Sequence, residues 1–411
     1  MQIQKIFKTI SIALIALVGL TVVVGGALYF EDPLFWKRYI LIAKNKGTVP
    51  QSGWAGSEYA VAGNHQRFFK VADPRPSHFS ADLLNEITTY AEEHHSSSLL
   101  IWQDGQLILR EHFGDYDAES LIVGKSMAKM IASIVVGRAI KENYIESLDQ
   151  PAADFITEWQ GTKREQISIR HMLHMAAGFE EFYTLDMSPF SNFTRSYLSG
   201  HNEDILIDGY ELINEPGTQY DYSQVVSDLL ALLVERATGK AYGQFLSEAL
   251  IKPIGAQGGE VMMNRPDGLA HAGCCLLLPS ESWLRVGILL LNNGVVDGKS
   301  LFPDGWMKDY LAPSPANPAM GLHIWLAEPY LERRAWTEVG PPKGFGVWHS
   351  EPYLDPDLFL FDGSGNQVMY IIPSENMVIL RTGKFSFRVK PEWDNAYLPN
   401  TLIRASRSQS K

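Results

Sequence analysis

Two hairpin signals, one towards each end of the chain, constrain its fold more than any other feature. Leu99-Leu100-Ile101-Trp102 and Leu107-Ile108-Leu109 flank Asp104-Gly105, a dipeptide that accepts the positive φ angles of a tight turn. Gln367 to Ile372 and Met377 to Arg381 flank Pro373-Ser374-Glu375-Asn376 in the same way. Between the two hairpins the pattern is mainly helical from Ile131 to Gly239. A loop-rich stretch interrupts it between Gly178 and Pro216, and Gly239 supplies a stop signal after the helix predicted over Tyr222 to Thr238. Ala81 to His94 reads as an amphipathic helix, and Leu276 to Leu291 reads as another. A lone hairpin cannot bury its apolar face. The pattern therefore predicts an α+β fold: one antiparallel sheet built from both ends, flanked by helices, with a mainly helical subdomain inserted. A site is expected at the seam between sheet and insertion.

At 411 residues the chain can form two or three average domains, or one large domain with an insertion. A net charge of −12 excludes the clustered basic surface that nucleic acid requires, so no nucleic-acid partner is expected. Lys5 and Lys8 precede Thr9 to Phe30, an apolar stretch without a charged residue. Its length fits a transmembrane helix, so residues 1–30 are expected to anchor the chain in a membrane, with Gly25-Gly26-Ala27 leaving signal cleavage as the other reading. Lys37, Arg38, Lys44 and Lys46 follow the span and oppose a simple positive-inside orientation. A long following domain can be translocated regardless of such charges, so the expected location is extracytoplasmic, in a bacterial periplasm. Residues 31–77 then read as a connector, 78–385 as the catalytic domain, and 386–411 as a C-terminal extension with a frayed tail. Cys274 and Cys275 are neighbours; a bond between them would be strained, so two buried thiols are expected.

Ser126-Met127-Ala128-Lys129 follows Gly124-Lys125 and opens an apolar run to Ile140. A serine at a helix start lies near unpaired N–H groups and the positive end of the macrodipole. A lysine three residues on shares its helix face. A neutral amine there can take the serine proton and create a nucleophile. The spacing alone is weak, because Ser408-Gln409-Ser410-Lys411 repeats it in a polar tail. Partner residues strengthen the first copy. Tyr222-Ser223-Gln224 opens a helix and offers a second proton carrier. Gly363-Ser364-Gly365, followed by Asn366, offers close backbone approach and an N–H for an oxyanion.

These motifs, in this order, resemble the β-lactamase-related, penicillin-recognising serine hydrolases, marked by S-x-x-K, Y-x-N and K-T-G or H-x-G. The flanks are similar too. Ile167-Ser-Ile-Arg-His-Met-Leu173 with Met175-Ala-Ala-Gly178, and Gly287 to Gly294 with Asp297-Gly298, resemble segments of that family, and the likeness covers residues 78 to 385. The resemblance implies a β-lactamase/transpeptidase-like fold, Ser126 as nucleophile, Lys129 as its base partner, Tyr222 as the base that activates water, and no cofactor. Gln224 stands where the family has asparagine. Gly363 stands where it has a lysine or histidine that helps hold a substrate carboxylate. The G-x-G form is similar to the aminohexanoate-oligomer hydrolases and related esterases, and Tyr183, after Gly178, resembles a substrate-facing tyrosine of that branch.

The expected activity is therefore a serine hydrolase acting through an acyl-enzyme on a small-molecule ester or amide. The oxyanion would be held by the N–H groups of Ser126 and Asn366. The alternatives are a D-amino-acid peptidase or weak β-lactamase, or a catalytically silent, membrane-tethered binding protein of the same fold. His171 and His174 have H-x-x-H spacing without a third ligand, so no metal is expected. His323, Trp325, Trp348 and His349 precede the glycine motif and are read either as pocket lining or as core.

Overall fold

The structure is a computed structural model that describes residues 25–27, 29–44, 56–64, 68–180, 186, 188–342, 346–383 and 391–408. Most of the expected membrane span lies outside these residues. No helix among the described residues is long and apolar enough to cross a membrane.

The two hairpins form as their turn residues dictate. Strands β1 (Ser96–Gln103) and β2 (Gln106–His112) join through Asp104 at φ 49° and Gly105 at φ 82°. β5 (Gln367–Ile372) and β6 (Met377–Gly383) join through a short turn that ends at Asn376, φ 45°. With β3 (Trp325–Leu326) and β4 (Phe359–Gly363) they make one antiparallel sheet in the order β2-β1-β6-β5-β4-β3. β1 pairs with β6, Leu100 opposite Leu380, which closes the sheet between the two ends of the chain.

Every residue of β5 and β6 is buried, so both faces of the sheet are covered. Alternation assigns the faces. Met369 and Val378 meet the helix Ser280–Leu291, where a Cβ on Gly287 would lie 2.8 Å from Met369 Sδ and 2.7 Å from Val378 Cγ1. Only glycine allows that approach. Tyr370 and Arg381 point the other way: the Tyr370 hydroxyl donates to Asn395 at 2.8 Å, and Arg381 lies 4.5 Å from the Trp393 ring centroid. On that side the helices Ala81–Glu93 and Tyr397–Arg407 meet, with Tyr90 and Tyr397 stacked at 4.0 Å. The last helix lies in the segment read as an extension, yet it buries Leu398, Leu402 and Ile403.

A second antiparallel sheet is absent from the sequence reading. Its order is Glu58–Val61, Gly259–Met262, Leu276–Pro279, Leu121–Val123. Leu276–Pro279 was expected to begin a helix; it is a strand, and the helix starts at Ser280. A short run buried on both faces carries no periodicity to separate the two states. The strand Glu58–Val61 also brings part of the expected connector into the folded domain.

The rest of that connector includes the helix Pro33–Lys44, clamped by a buried arginine. Arg38 Nη1 donates to the carbonyls of Leu198 at 3.1 Å and Asn264 at 2.7 Å, and Nη2 donates to Met263 at 2.9 Å. Phe35 and Ile42 of the same helix cover Cys274 and Cys275. The two cysteines are buried as expected, but they form a disulfide rather than two thiols. The His271 carbonyl accepts from both of their N–H groups, at 3.4 and 3.1 Å, in a tight turn that brings the sulfurs together.

Candidate active site

The strand Leu121–Val123 runs through Gly124 and Lys125 into Ser126, the N-cap residue of the helix Met127–Lys141. A side chain at Gly124 would collide with Trp283, so the strand can turn here only with glycine. Lys125 holds φ at 50°, an uncommon conformation for a long side chain. Serine at such a position ordinarily caps the helix with its hydroxyl. Ser126 makes no such bond. Its hydroxyl is engaged by Tyr222 instead.

Lys129 is 1% exposed on the first turn of this helix. Its Nζ donates to Gln224 Oε1 at 2.8 Å and to the Gly273 carbonyl at 2.6 Å, and lies 3.5 Å from Ser126 Oγ. Burial pushes its pKa down to about 7, partly opposed by the negative charge of Asp228. A neutral amine has two N–H bonds and one lone pair. The two carbonyl acceptors use the N–H bonds, which leaves the lone pair for the serine proton.

Tyr222 precedes the helix Gln224–Thr238, whose N-cap Ser223 accepts from Val226 N at 3.4 Å. The backbone N–H of Asp221 donates to the Met175 carbonyl at 2.8 Å, which fixes the approach to the tyrosine. Trp325 stacks beside the Tyr222 ring at 6.2 Å, and Lys129 Nζ lies 5.0 Å from the ring centroid. As the base that the resemblance implies, Tyr222 would be helped by a lowered pKa. Burial does the opposite and raises the Tyr222 pKa, because desolvation outweighs the hydrogen bond to Ser126. Tyr222 is a neutral phenol that can pass a proton on.

Gln224 is 3% exposed. Its carbonyl faces Lys129, and its Nε2 donates to Asp228 Oδ1 at 3.1 Å. Gly363 ends β4 directly against the serine turn. A Cβ there would lie 2.7 Å from the Gly124 carbonyl and 3.2 Å from the N–H nitrogens of Ser126 and Met127. The family-like cation is therefore excluded at this position by packing. Ser364, Gly365 and Asn366 form the turn to β5, with φ of 86° at Gly365 and 56° at Asn366. Arg381 Nη1 donates to the carbonyls of Gly365 at 3.0 Å and Asn366 at 2.7 Å. Gly363 thus touches the nucleophile turn, whereas Asn366 is held three residues away by Arg381. Tyr183 lies outside the described residues.

Other expected residues divide clearly. Trp325 belongs to the site through Tyr222, and the buried Arg334 also stacks on the Trp325 ring at 3.7 Å while pairing with Asp362, next to Gly363. His323 is 1% exposed with Nδ1 3.3 Å from the Lys129 carbonyl, so it packs behind the helix. His171 accepts from Ser168 N at 3.3 Å and serves a helix cap. Among the described residues no cluster of His, Cys, Asp or Glu is placed to hold a metal. Asp228 and Gly273 were not picked out from sequence. The spacing of Gln224 and Asp228, one helical turn, was the available signal.

Residues 85–267 match the family described as Beta-lactamase. Residues 85–267 thus carry the likeness to the β-lactamase family. Within curated proteins it is similar to a 6-aminohexanoate-dimer hydrolase from Paenarthrobacter ureafaciens, 24% identical over 56% of this chain and 61% of that protein. It is also similar to Protein flp of Staphylococcus aureus, 23% identical over 38% of this chain and 33% of flp. The match thus spans less than two thirds of either relative. Among solved structures, the fold is shared with a Bacillus anthracis protein assigned as a 6-aminohexanoate-dimer hydrolase (TM-score 0.62, 19% identity, 85% of this chain and 88% of that one). It is shared as well with EstCE1, a hydrolase with promiscuous acyltransferase activity (TM-score 0.56, 14% identity, 79% and 98%). The chain accordingly has the α+β, β-lactamase/transpeptidase-like fold, and one of these relatives and both of these structural neighbours bear hydrolase names.

Proposed function

We propose that this β-lactamase-like protein is a serine hydrolase that cleaves a small-molecule ester or amide through an acyl-enzyme. The observation that carries the reading is the Ser126 hydroxyl, released from capping and set between a tyrosine phenol and a buried lysine amine. Lys129 in its neutral form takes the Ser126 proton as Oγ attacks the carbonyl carbon. The Ser126 N–H, at the helix start, meets the developing oxyanion. A second N–H is assigned to the turn after Gly363, where Asn366 is the expected donor and Gly363 packs close to the serine turn. The proton on Lys129 passes through the Tyr222 hydroxyl to the leaving oxygen or nitrogen. Water then attacks the acyl carbon, its proton passes by way of Tyr222 and Lys129 to Ser126 Oγ as the bond from Oγ to that carbon breaks, and the acid is released.

The curated relative whose name gives a 6-aminohexanoate dimer as substrate supports an amide or a related ester. Gly363 supports a substrate without the carboxylate that penicillins carry. The apolar, charge-free stretch from Thr9 to Phe30 supports a membrane anchor with the domain outside the cytoplasm; carbonate extraction of membranes from cells making the full chain tests that location. For the activity, p-nitrophenyl acetate and butyrate turnover should vanish in Ser126→Ala. Turnover by Ser126→Ala at the wild-type rate would refute the assignment.

A further inference from the structure

Lys129 can act on Ser126 only if its amine is aimed, and both acceptors that aim it trace back to one buried carboxylate. Asp228 Oδ1 accepts from Gln224 Nε2 at 3.1 Å and from Gly273 N at 3.0 Å. The far ends of those two groups, Gln224 Oε1 and the Gly273 carbonyl, receive the Lys129 N–H bonds. Asp228 is 1% exposed, and its other oxygen lies 3.4 Å from His271 Nδ1. An amide side chain has two orientations. With Nε2 drawn to Asp228, Gln224 must present its oxygen to Lys129; turned round, it would present N–H groups to the amine and repel its hydrogens. A glutamine at this position also has one more methylene than asparagine, reach that the bridge from Lys129 to Asp228 uses.

We propose that Asp228 is the positioning residue of this site, holding Gln224 and Gly273 so that the Lys129 amine faces Ser126. This rests on the reading of Ser126 and Lys129 as the reacting pair. The charged and titratable groups around the pair come from every packed element. Tyr222 faces the Lys129 amine and His323 meets the Lys129 backbone carbonyl, while His271 contacts Asp228 and Tyr197 and Tyr242 lie within reach of its charge. Asp228 is the anion among them. Its charge favours the ammonium form of Lys129, so neutralising it should ease deprotonation.

Asp228→Asn keeps an oxygen for both N–H donors and removes the charge; Asp228→Ala removes both. With 15N-labelled lysine and Lys129→Arg to assign the signal, the Lys129 amine should titrate at lower pH in Asp228→Asn than in wild type. In Asp228→Ala, kcat/KM for p-nitrophenyl acetate should fall on the order of ten- to a hundredfold, as misplaced catalytic groups do, while circular dichroism shows a folded protein. Unchanged Lys129 titration in Asp228→Asn, or wild-type kcat/KM in folded Asp228→Ala, would overturn the proposal. A shifted titration in a protein that turns over no ester would support the positioning role and refute the hydrolase reading, so the two failures are separable.

Discussion

A serine hydroxyl is a poor nucleophile until something removes its proton, and the group proposed for that task here is one buried amine, Lys129. Because burial pushes Lys129 down to about 7, the reactive neutral form should accumulate as pH rises through that value. Acylation of Ser126 is therefore expected to be slow at pH 5, to climb across neutrality and to level off by about pH 8. Lys129→Met should cost roughly 10²–10⁴ in kcat/KM, the usual worth of a proton-transfer group. The same shift has a stability consequence of opposite form. Between about pH 7 and the ordinary lysine range near pH 10, the unfolded chain still binds the proton that the folded one has lost. Stability from this group is thus lowest below pH 7 and rises with pH. The difference in Tm between wild type and Lys129→Met should shift in favour of wild type over that window; a difference independent of pH would mean that Lys129 is not depressed. Gly363 gives a steric prediction. Gly363→Ala places a Cβ 2.7 Å from the Gly124 carbonyl, an overpacking expected to cost about 1–3 kcal/mol in denaturant unfolding and to displace Ser126.

The elements that position these residues were legible in unequal measure. Both hairpins followed from their turn chemistry, since Asp104-Gly105 and Asn376 accept positive φ where most residues do not. The helix after Ser126 and the stop at Gly239 were equally plain. Leu276 to Leu278 was not, because a run buried on both faces looks alike in strand and helix. Nor could periodicity show that Arg38 would be sunk among three carbonyls distant in sequence. Single residues divided in the same way. Ser126, Lys129 and Tyr222 stood in recognisable spacing, whereas Gly273 contributes only its backbone and leaves no mark in side-chain pattern. The helix Pro33–Lys44 supplies its own test. Arg38→Ala strands three buried carbonyls, each costing about 1–3 kcal/mol when unsatisfied. Amide exchange over residues 33–44 should accelerate before the central sheet is affected; unchanged protection would show that the clamp contributes nothing.

In the whole molecule, one sheet closed by the two ends of the chain carries Gly363 on its β4 strand and brings it to a serine on the inserted helical part. The proposed substrate class follows from that seam as well. No cation can stand at Gly363, and the nearby Arg334 is paired with Asp362. A penicillin-like carboxylate therefore lacks its charge-assisted contact here, a loss of roughly ten- to a hundredfold in discrimination. Nitrocefin should be turned over far more slowly than p-nitrophenyl butyrate, and the reverse order would contradict this reading of the site. The central claim is that Ser126, activated by Lys129, is the nucleophile. The most direct measurement is fluorophosphonate labelling at a series of pH values, with the adduct located by peptide mass spectrometry. One adduct is expected, on Ser126, forming faster as pH rises through about 7 and absent from Ser126→Ala. An adduct on another residue, or none on folded wild-type protein, would contradict it.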